Sequence, residues 1–304
     1  MQADDQPKSH SDAQQNSSKN HGKLGALAVL AAGMCFGTTG TSQTLIGAHY
    51  SPLAIGAARL ILGAILLAII STFFIKAPKV RIPRTDLIIS ALGVGSYSLT
   101  FFTAVKLTGV PIATITALGS QPIFTGVLGW LFVKDKPHKP WFVATGLAAI
   151  GIVLLNAGSA GEKVNYFGVL CALLAGLGFG FFNVTSRRAV NSGVDSSRLM
   201  TAVFSLAALM VSPFLFVENP QWLLEGKGAG LVLWLGVVTT ALAYSLYGYG
   251  LKHVHAHTAS TLVLSEPATA TLLAVTVLSD SLPILGWAGV GLVLCGLIYL
   301  SVKG

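Results

Sequence analysis

Ten apolar runs, each near the length of a membrane-crossing helix, alternate with short polar breaks along the chain. They cover about residues 24–47, 52–75, 85–107, 110–133, 141–157, 165–187, 195–217, 229–251, 256–278 and 282–302. A helix needs about 20 apolar residues to cross the hydrocarbon core of a bilayer. The runs are continuous rather than alternating, so the pattern predicts helices and disfavours a β-barrel. The breaks carry helix-ending punctuation: Ser51-Pro52, Lys76 to Arg84, Lys134 to Pro140, Gly158 to Lys163 and Glu218 to Lys227. Residues 1–22 hold almost nothing apolar and read as a disordered cytoplasmic tail. They fit no part of a signal peptide, so the first run is expected to remain as an uncleaved helix.

Composition sharpens this picture. Of 304 residues, 53% are hydrophobic and only 10% charged, with a mean hydropathy of +0.72. Soluble domains carry about 25% charged residues. A soluble enzyme, a disordered chain and a disulfide scaffold are excluded, and a lipid-facing exterior remains. Cys35, Cys171 and Cys295 lie inside apolar runs without ligand spacing, and read as small core residues. No metal and no cofactor is expected.

The net charge of +8 is scattered among the breaks, so it reports topology rather than a nucleic-acid partner. With the N-terminus in the cytoplasm, fourteen cations fall inside: Lys8, Lys19, Lys23, Lys76, Lys79, Arg81, Arg84, Lys134, Lys136, Lys139, Arg187, Arg188, Lys252 and Lys303. Three, Lys106, Lys163 and Lys227, fall outside. The bias predicts both termini in the cytoplasm.

The two halves resemble each other. Gly25, Leu27, Leu30, Ala32, Gly33, Phe36 and Gly37 match Gly168, Leu170, Leu173, Ala175, Gly176, Phe179 and Gly180 at an offset of 143. Further on the offset is 145, matching Thr116, Ser120, Pro122, Asp135, Gly146 and Gly151 to Thr261, Ser265, Pro267, Asp280, Gly291 and Gly296. This predicts an all-α membrane protein of two five-helix repeats, over 23–160 and 161–304. Five is odd, so the second repeat must be inverted. Charges agree: Asp135 lies among Lys134, Lys136 and Lys139, whereas Asp280 lies between two serines. Inverted repeats with a site at their interface are a recurring plan of secondary transporters.

The segments AAGMCFGTTGTSQ, AIGAARLILGAILL, ALGSQPIFTGVLGWLFVKD and LVLSEPATATLLAVTVLSD, with the tails WFVATGLAAIGIVLLN and GWAGVGLVLCGLIYL, carry a resemblance to the EamA type of the drug/metabolite transporter superfamily. It spans about residues 24–302. It implies a ten-helix duplicated fold and export of amino acids or other small metabolites. That family usually has Glu where Asp135 and Asp280 stand, a change that keeps the charge.

Glu266 is the one acid well inside an apolar run, where a charge costs about 2.5–3.5 kcal/mol on insertion scales. It precedes Pro267, which lacks an N–H and frees the carbonyl of Val263. The other repeat has Gln121-Pro122, freeing that of Leu118. Two broken helices facing one central cavity are therefore expected, with Glu266 either binding substrate, carrying a proton, or making a structural hydrogen bond. Arg59 lies about 10 Å into the second helix at 1.5 Å per residue. It is either a planar fork for a carboxylate, a pin for its helix, or a snorkelling cation. Tyr97, Phe101, Asn183, Trp234, Tyr244 and Tyr247 either line that cavity or pack the core; Tyr244 and Tyr247 share a helix face.

Several other features read as bland. Trp130, Trp141 and Trp222 sit near run ends as interface anchors. His253, His255 and His257 alternate in a short turn and read as a solvated loop rather than a metal site. Gly33 and Gly37, like Gly176 and Gly180, are spaced for close helix contact. The expected function is a secondary transporter of the inner membrane, moving amino acids outward by alternating access, and not an enzyme. Alternatives are a multidrug or nucleotide-sugar carrier, or a membrane-embedded enzyme. The partners expected are a small-molecule substrate and the bilayer, with proton coupling open and a monomer or homodimer.

Overall fold

The computed structural model describes residues 8–46, 50–74, 80–155, 165–216, 219–279 and 281–303. Ten helical segments run in the order the hydropathy predicts. They are α1 (Lys8–Ile46, apolar from Asn20), α2 (Pro52–Phe73), α3 (Arg84–Val110), α4 (Ile112–Val133) and α5 (Lys139–Leu155). The second half contributes α6 (Tyr166–Asn191), α7 (Ser196–Phe216), α8 (Gly226–His253), α9 (Ala256–Val277) and α10 (Ile284–Lys303). Among the described residues nine are long and apolar enough to cross a membrane, and α5 is the shorter tenth. Ten crossings put Lys8 and Lys303 on one side, here termed the terminal face.

One boundary differs from the reading of the sequence. Residues 8–22 are helical and continue α1, where composition suggests a tail without structure. Once an apolar span has nucleated a helix, each added residue gains a backbone bond without a new nucleation cost. Residues 1–7 and Asp280 lie outside the described residues.

The backbone from Arg84 to Leu128 is helical except at Gly109, whose φ of 77° and ψ of 164° separate α3 from α4. Glycine reaches that conformation without a Cβ clash. Pro122 makes no break: α4 continues through it. A proline removes one backbone bond, and its φ is already helical. Here Thr125 also ties back to the Gln121 carbonyl at 2.8 Å. Pro267 does sit beside an interruption, because α9 leaves α-helical bonding at Val263 and Leu264. The Val263 carbonyl accepts the Glu266 N–H at 2.9 Å instead.

The packing repeats about a pseudo-two-fold axis. α5 crosses α10, and α1 packs on α8 and α9 as α6 packs on α3 and α4. Individual contacts come in matched pairs. A Cβ on Gly151 would lie 2.7 Å from the Gly289 carbonyl, and one on Gly296 would lie 2.8 Å from that of Ala144. A Cβ on Gly33 would collide with Ser265, and one on Gly176 with Ser120. Likewise Gly25 abuts His253 and Gly168 abuts Thr108. Lys134 and Ser279, also 145 apart, are the two non-glycine residues with positive φ, at 57° and 60°, among the described residues. The offsets of 143 and 145 are thus those of the fold. Since five helices separate equivalents, the repeats are inverted.

Two tryptophans are not interface anchors. Trp141 is buried and donates its indole N–H to the His257 carbonyl at 3.0 Å. Trp222 is buried against Tyr50. Trp130 is exposed on the outer surface. Burial wins where a neighbouring helix covers the ring, which distance from a span end does not reveal.

Candidate functional site

A cavity of about 240 Å³ lies between the repeats. It reaches from mid-span Gln121 and Glu266 to Gln43, Pro52 and Val110, near the ends of α1, α2 and α3 opposite the terminal face. The helix interruption in α9 delivers Glu266 and Pro267 to its wall, and α2 delivers Arg59. Arg59 and Glu266 are half-buried, and no ion pair joins them. Arg59 Nε and Gln121 Oε1 are buried without a hydrogen-bond partner. Buried polar atoms left unpaired are uncommon. The cavity therefore offers a cation, an acid and an amide to an occupant. Its volume falls just below the ~300–1,000 Å³ usual for drug-sized ligands.

Much of the remaining wall is aromatic, with Phe36, Tyr97, Phe101, Phe102, Phe179 and Tyr244. Tyr97 stacks on Phe101 with ring centroids 5.6 Å apart, and Phe36 meets Tyr244 at 4.9 Å. Gly40 leaves open space on α1, whereas Gly37 lets α9 approach, since a Cβ there would lie 2.7 Å from the Glu266 carbonyl. Of the residues singled out from sequence, Glu266, Arg59, Gln121, Tyr97, Phe101, Tyr244 and Pro267 converge here. Phe36, Thr39, Gln43, Phe102 and Phe179 were missed. The matching FG pairs of α1 and α6, Phe36-Gly37 and Phe179-Gly180, were a signal for two of them.

Four of the singled-out residues lie elsewhere. Pro122 is buried outside the cavity. Trp234 is 46% exposed on α8 and donates its indole N–H to Thr38 Oγ1 at 3.0 Å. Asn183 and Tyr247 are fully buried on the terminal side of the cavity, in a hydrogen-bonded knot. The Tyr247 hydroxyl donates to Asn183 Oδ1 at 2.7 Å, and Asn183 Nδ2 donates to Thr125 Oγ1 at 3.2 Å. Ser260 Oγ lies 3.1 Å from Thr125 Oγ1. The knot ties α4, α6, α8 and α9 together one helical turn below Gln121, and with it the cavity ends.

A second polar cluster marks the terminal face. Asp135, just past α4, meets His255 Nδ1 at 3.0 Å and His257 Nδ1 at 3.5 Å. The carboxylate comes from the first repeat and both imidazoles from the second. Burial alone would raise the Asp135 carboxyl; the facing imidazoles outweigh it and hold it well below the usual carboxylate range. Burial, then the charges of His257 and His255, depress His138 nearby. Of the three histidines of this turn, His255 is exposed and His253 half-buried, as a solvated loop would have them, whereas His257 is buried at 1% exposure. Sequence separation hid the pairing, since 120 residues part Asp135 from His255. Among the described residues no group of three or more His, Cys, Asp or Glu is placed to hold a metal ion.

A duplicated ten-helix bundle, with a mid-span polar cavity between inverted halves and closed on one side, is the architecture of a membrane carrier. The chain belongs to the EamA-like transporter family, whose pattern matches it twice, over residues 23–157 and 166–302. It is similar to the uncharacterised transporter YwfM of Bacillus subtilis strain 168, with 37% identity over 283 residues, 92% of this chain and 94% of that one. It is also similar to the threonine/homoserine exporter RhtA of Salmonella typhimurium strain SL1344, with 30% identity over 230 residues, 74% of each. A solved crystal structure shares the fold at a TM-score of 0.77 and 18% identity, covering 90% of this chain and 95% of the other.

Proposed function

We propose that this transporter exports a small amino acid or closely related metabolite across the cytoplasmic membrane by alternating access. The observation that carries the reading is the unpaired Arg59 and Glu266 facing one small cavity at the repeat interface. A zwitterion presents a carboxylate, for which a guanidinium fork is suited, and an ammonium, for which Glu266 is suited. The likeness to a threonine/homoserine exporter supports the same class. The aromatic wall and Gln121 then frame the side chain.

In this reading the terminal face is cytoplasmic, as the fourteen-to-three cation bias supports, and the closed side faces the cytoplasm. Residues 1–22 are a dispensable extension, and 23–160 and 161–304 are the two rocking halves. Glu266 carries either the substrate ammonium or a coupling proton, and the unit is a monomer or homodimer. The test is efflux from cells loaded in turn with single amino acids, comparing the wild type with Arg59→Gln. Export of at least one amino acid, lost in Arg59→Gln at equal membrane abundance, is the expected result. Efflux indistinguishable from non-expressing cells across the panel overturns the substrate class.

A further inference from the structure

The pseudo-two-fold gives each cavity-lining residue an equivalent in the other repeat. Gly40, Phe102 and Ala270 line the cavity. At offsets of 143 and 145 their equivalents are Asn183, Tyr247 and Thr125. These are three members of the knot, each 0% exposed. The fourth, Ser260, is equivalent to Ile115. The side chains that seal the terminal side therefore occupy the positions that, on the other side, form or adjoin the open wall.

We propose that Thr125, Asn183, Tyr247 and Ser260 are the inner gate, parting in the opposite state to become the wall of an inward-facing passage. The proposal rests on the alternating-access reading above. The two gates are chemically unlike. The inner one closes by hydrogen bonds between four helices. Its outer equivalents, Gly40, Phe102, Ile115 and Ala270, carry no hydrogen-bonding side chain, so outer closure rests on apolar packing. Removing the Asn183 amide leaves the Tyr247 hydroxyl and Thr125 short of partners only while the gate is shut, because water reaches them once it opens. The shut state alone is penalised.

The test uses single-cysteine reporters in the full chain, with Cys35, Cys171 and Cys295 replaced by alanine. Thr39→Cys reports the open cavity. Ala259→Cys, equivalent to cavity-lining Thr114, reports the sealed side. A membrane-impermeant maleimide is applied to right-side-out and inside-out vesicles. Asn183→Ala should raise labelling of Ala259→Cys from the inner side about tenfold and lower that of Thr39→Cys from the outer side. Tyr247→Phe, which keeps the ring, should shift both in the same directions by about threefold. A third arm grafts the hydrogen-bonding pair outside as Gly40→Asn with Phe102→Tyr; the space around Gly40 is open. It should shift both rates the opposite way. If the graft shifts the ratio while Asn183→Ala and Tyr247→Phe leave it unchanged, the gate assignment falls. If no variant moves the two reporters oppositely, the alternating-access reading falls with it.

Discussion

Glu266→Gln separates what a charge does for transport from what it does for folding. The glutamine copies the residue that the first repeat already carries at the equivalent position, Gln121, so shape and hydrogen-bonding reach are kept. An acid at mid-membrane depth is unfavourable by up to about 2.5–3.5 kcal/mol. Its removal should leave thermal stability unchanged or raise it. Transport should move the other way. A hydrogen bond to a charged group contributes about 1.5–3 kcal/mol, and 1.4 kcal/mol is tenfold in an equilibrium constant. Loss of the charge facing Arg59 across the cavity should then lower efflux about tenfold to a hundredfold. The assay is initial efflux from preloaded cells, normalised to membrane abundance, beside melting of the purified protein in detergent. Exchange of labelled substrate separates the two roles of the acid: a proton carrier is needed for net uphill movement and spared in exchange, whereas an ammonium ligand is needed for both. Full net efflux by Glu266→Gln at every pH, or a fall in melting temperature with efflux intact, would refute the reasoning and leave a structural hydrogen bond.

Three further outcomes are expected. Gly151→Ala and Gly296→Ala should each destabilise the protein by about 1–3 kcal/mol through overpacking, since carbonyl oxygens lie 2.7 and 2.8 Å from the new methyls; Gly146→Ala and Gly291→Ala, which meet nothing within 4 Å, should be neutral or stabilising, and equal melting of all four would contradict the packing. The depressed Asp135 pKa means that its contribution to stability is complete above the ordinary carboxylate value near pH 4 and vanishes as the pH falls through the depressed one. Asp135→Asn should therefore melt lower at neutral pH and approach the wild type in acid, and a constant gap would contradict the pairing. Deleting residues 2–22 should leave efflux per molecule unchanged, and a loss at equal abundance would give the α1 extension a role.

The ten spans were legible because the bilayer forces each helix to show about twenty apolar residues in a row, a local signal. Glu266, Gln121 and Arg59 were legible for a related reason: a polar group in a span is tolerated where it faces the bundle interior. Asn183 and Tyr247 show the limit of that rule. It says that they point inward, but their partners lie on other helices, 58 and 64 residues away, and spend their polarity on each other. The chain break illustrates a second limit. Pro122 and Pro267 each remove one backbone bond, yet the continuous helix at one and the interruption at the other are decided by neighbouring packing, while the true discontinuity of α3 and α4 rests on Gly109. The Asp135 pair was invisible because its imidazoles come from the opposite repeat.

Inverted symmetry by itself would give a carrier two interchangeable gates and no preferred resting side. Here the symmetry is kept where helices must approach, as at Gly33 and Gly176, and lost where passages close. On the gate proposal, hydrogen bonds among Thr125, Asn183, Tyr247 and Ser260, together with Asp135 facing His255 and His257, hold the terminal side shut. The positions equivalent to those two histidines are Val110 and Ile112, which cannot pair with a carboxylate. Such a bias sets how often the empty carrier faces each side. It lowers the apparent affinity for substrate presented at the disfavoured side by the fraction of carriers open there. It cannot set the direction of net movement, because an equilibrium preference supplies no work; a gradient must. Export against a gradient would thus require coupling to a second gradient; if that gradient is of protons, Glu266 is the acid placed in the cavity to carry them. A carrier without coupling would instead equilibrate its substrate, with the gate asymmetry changing rates and half-saturation on each side but not the end point.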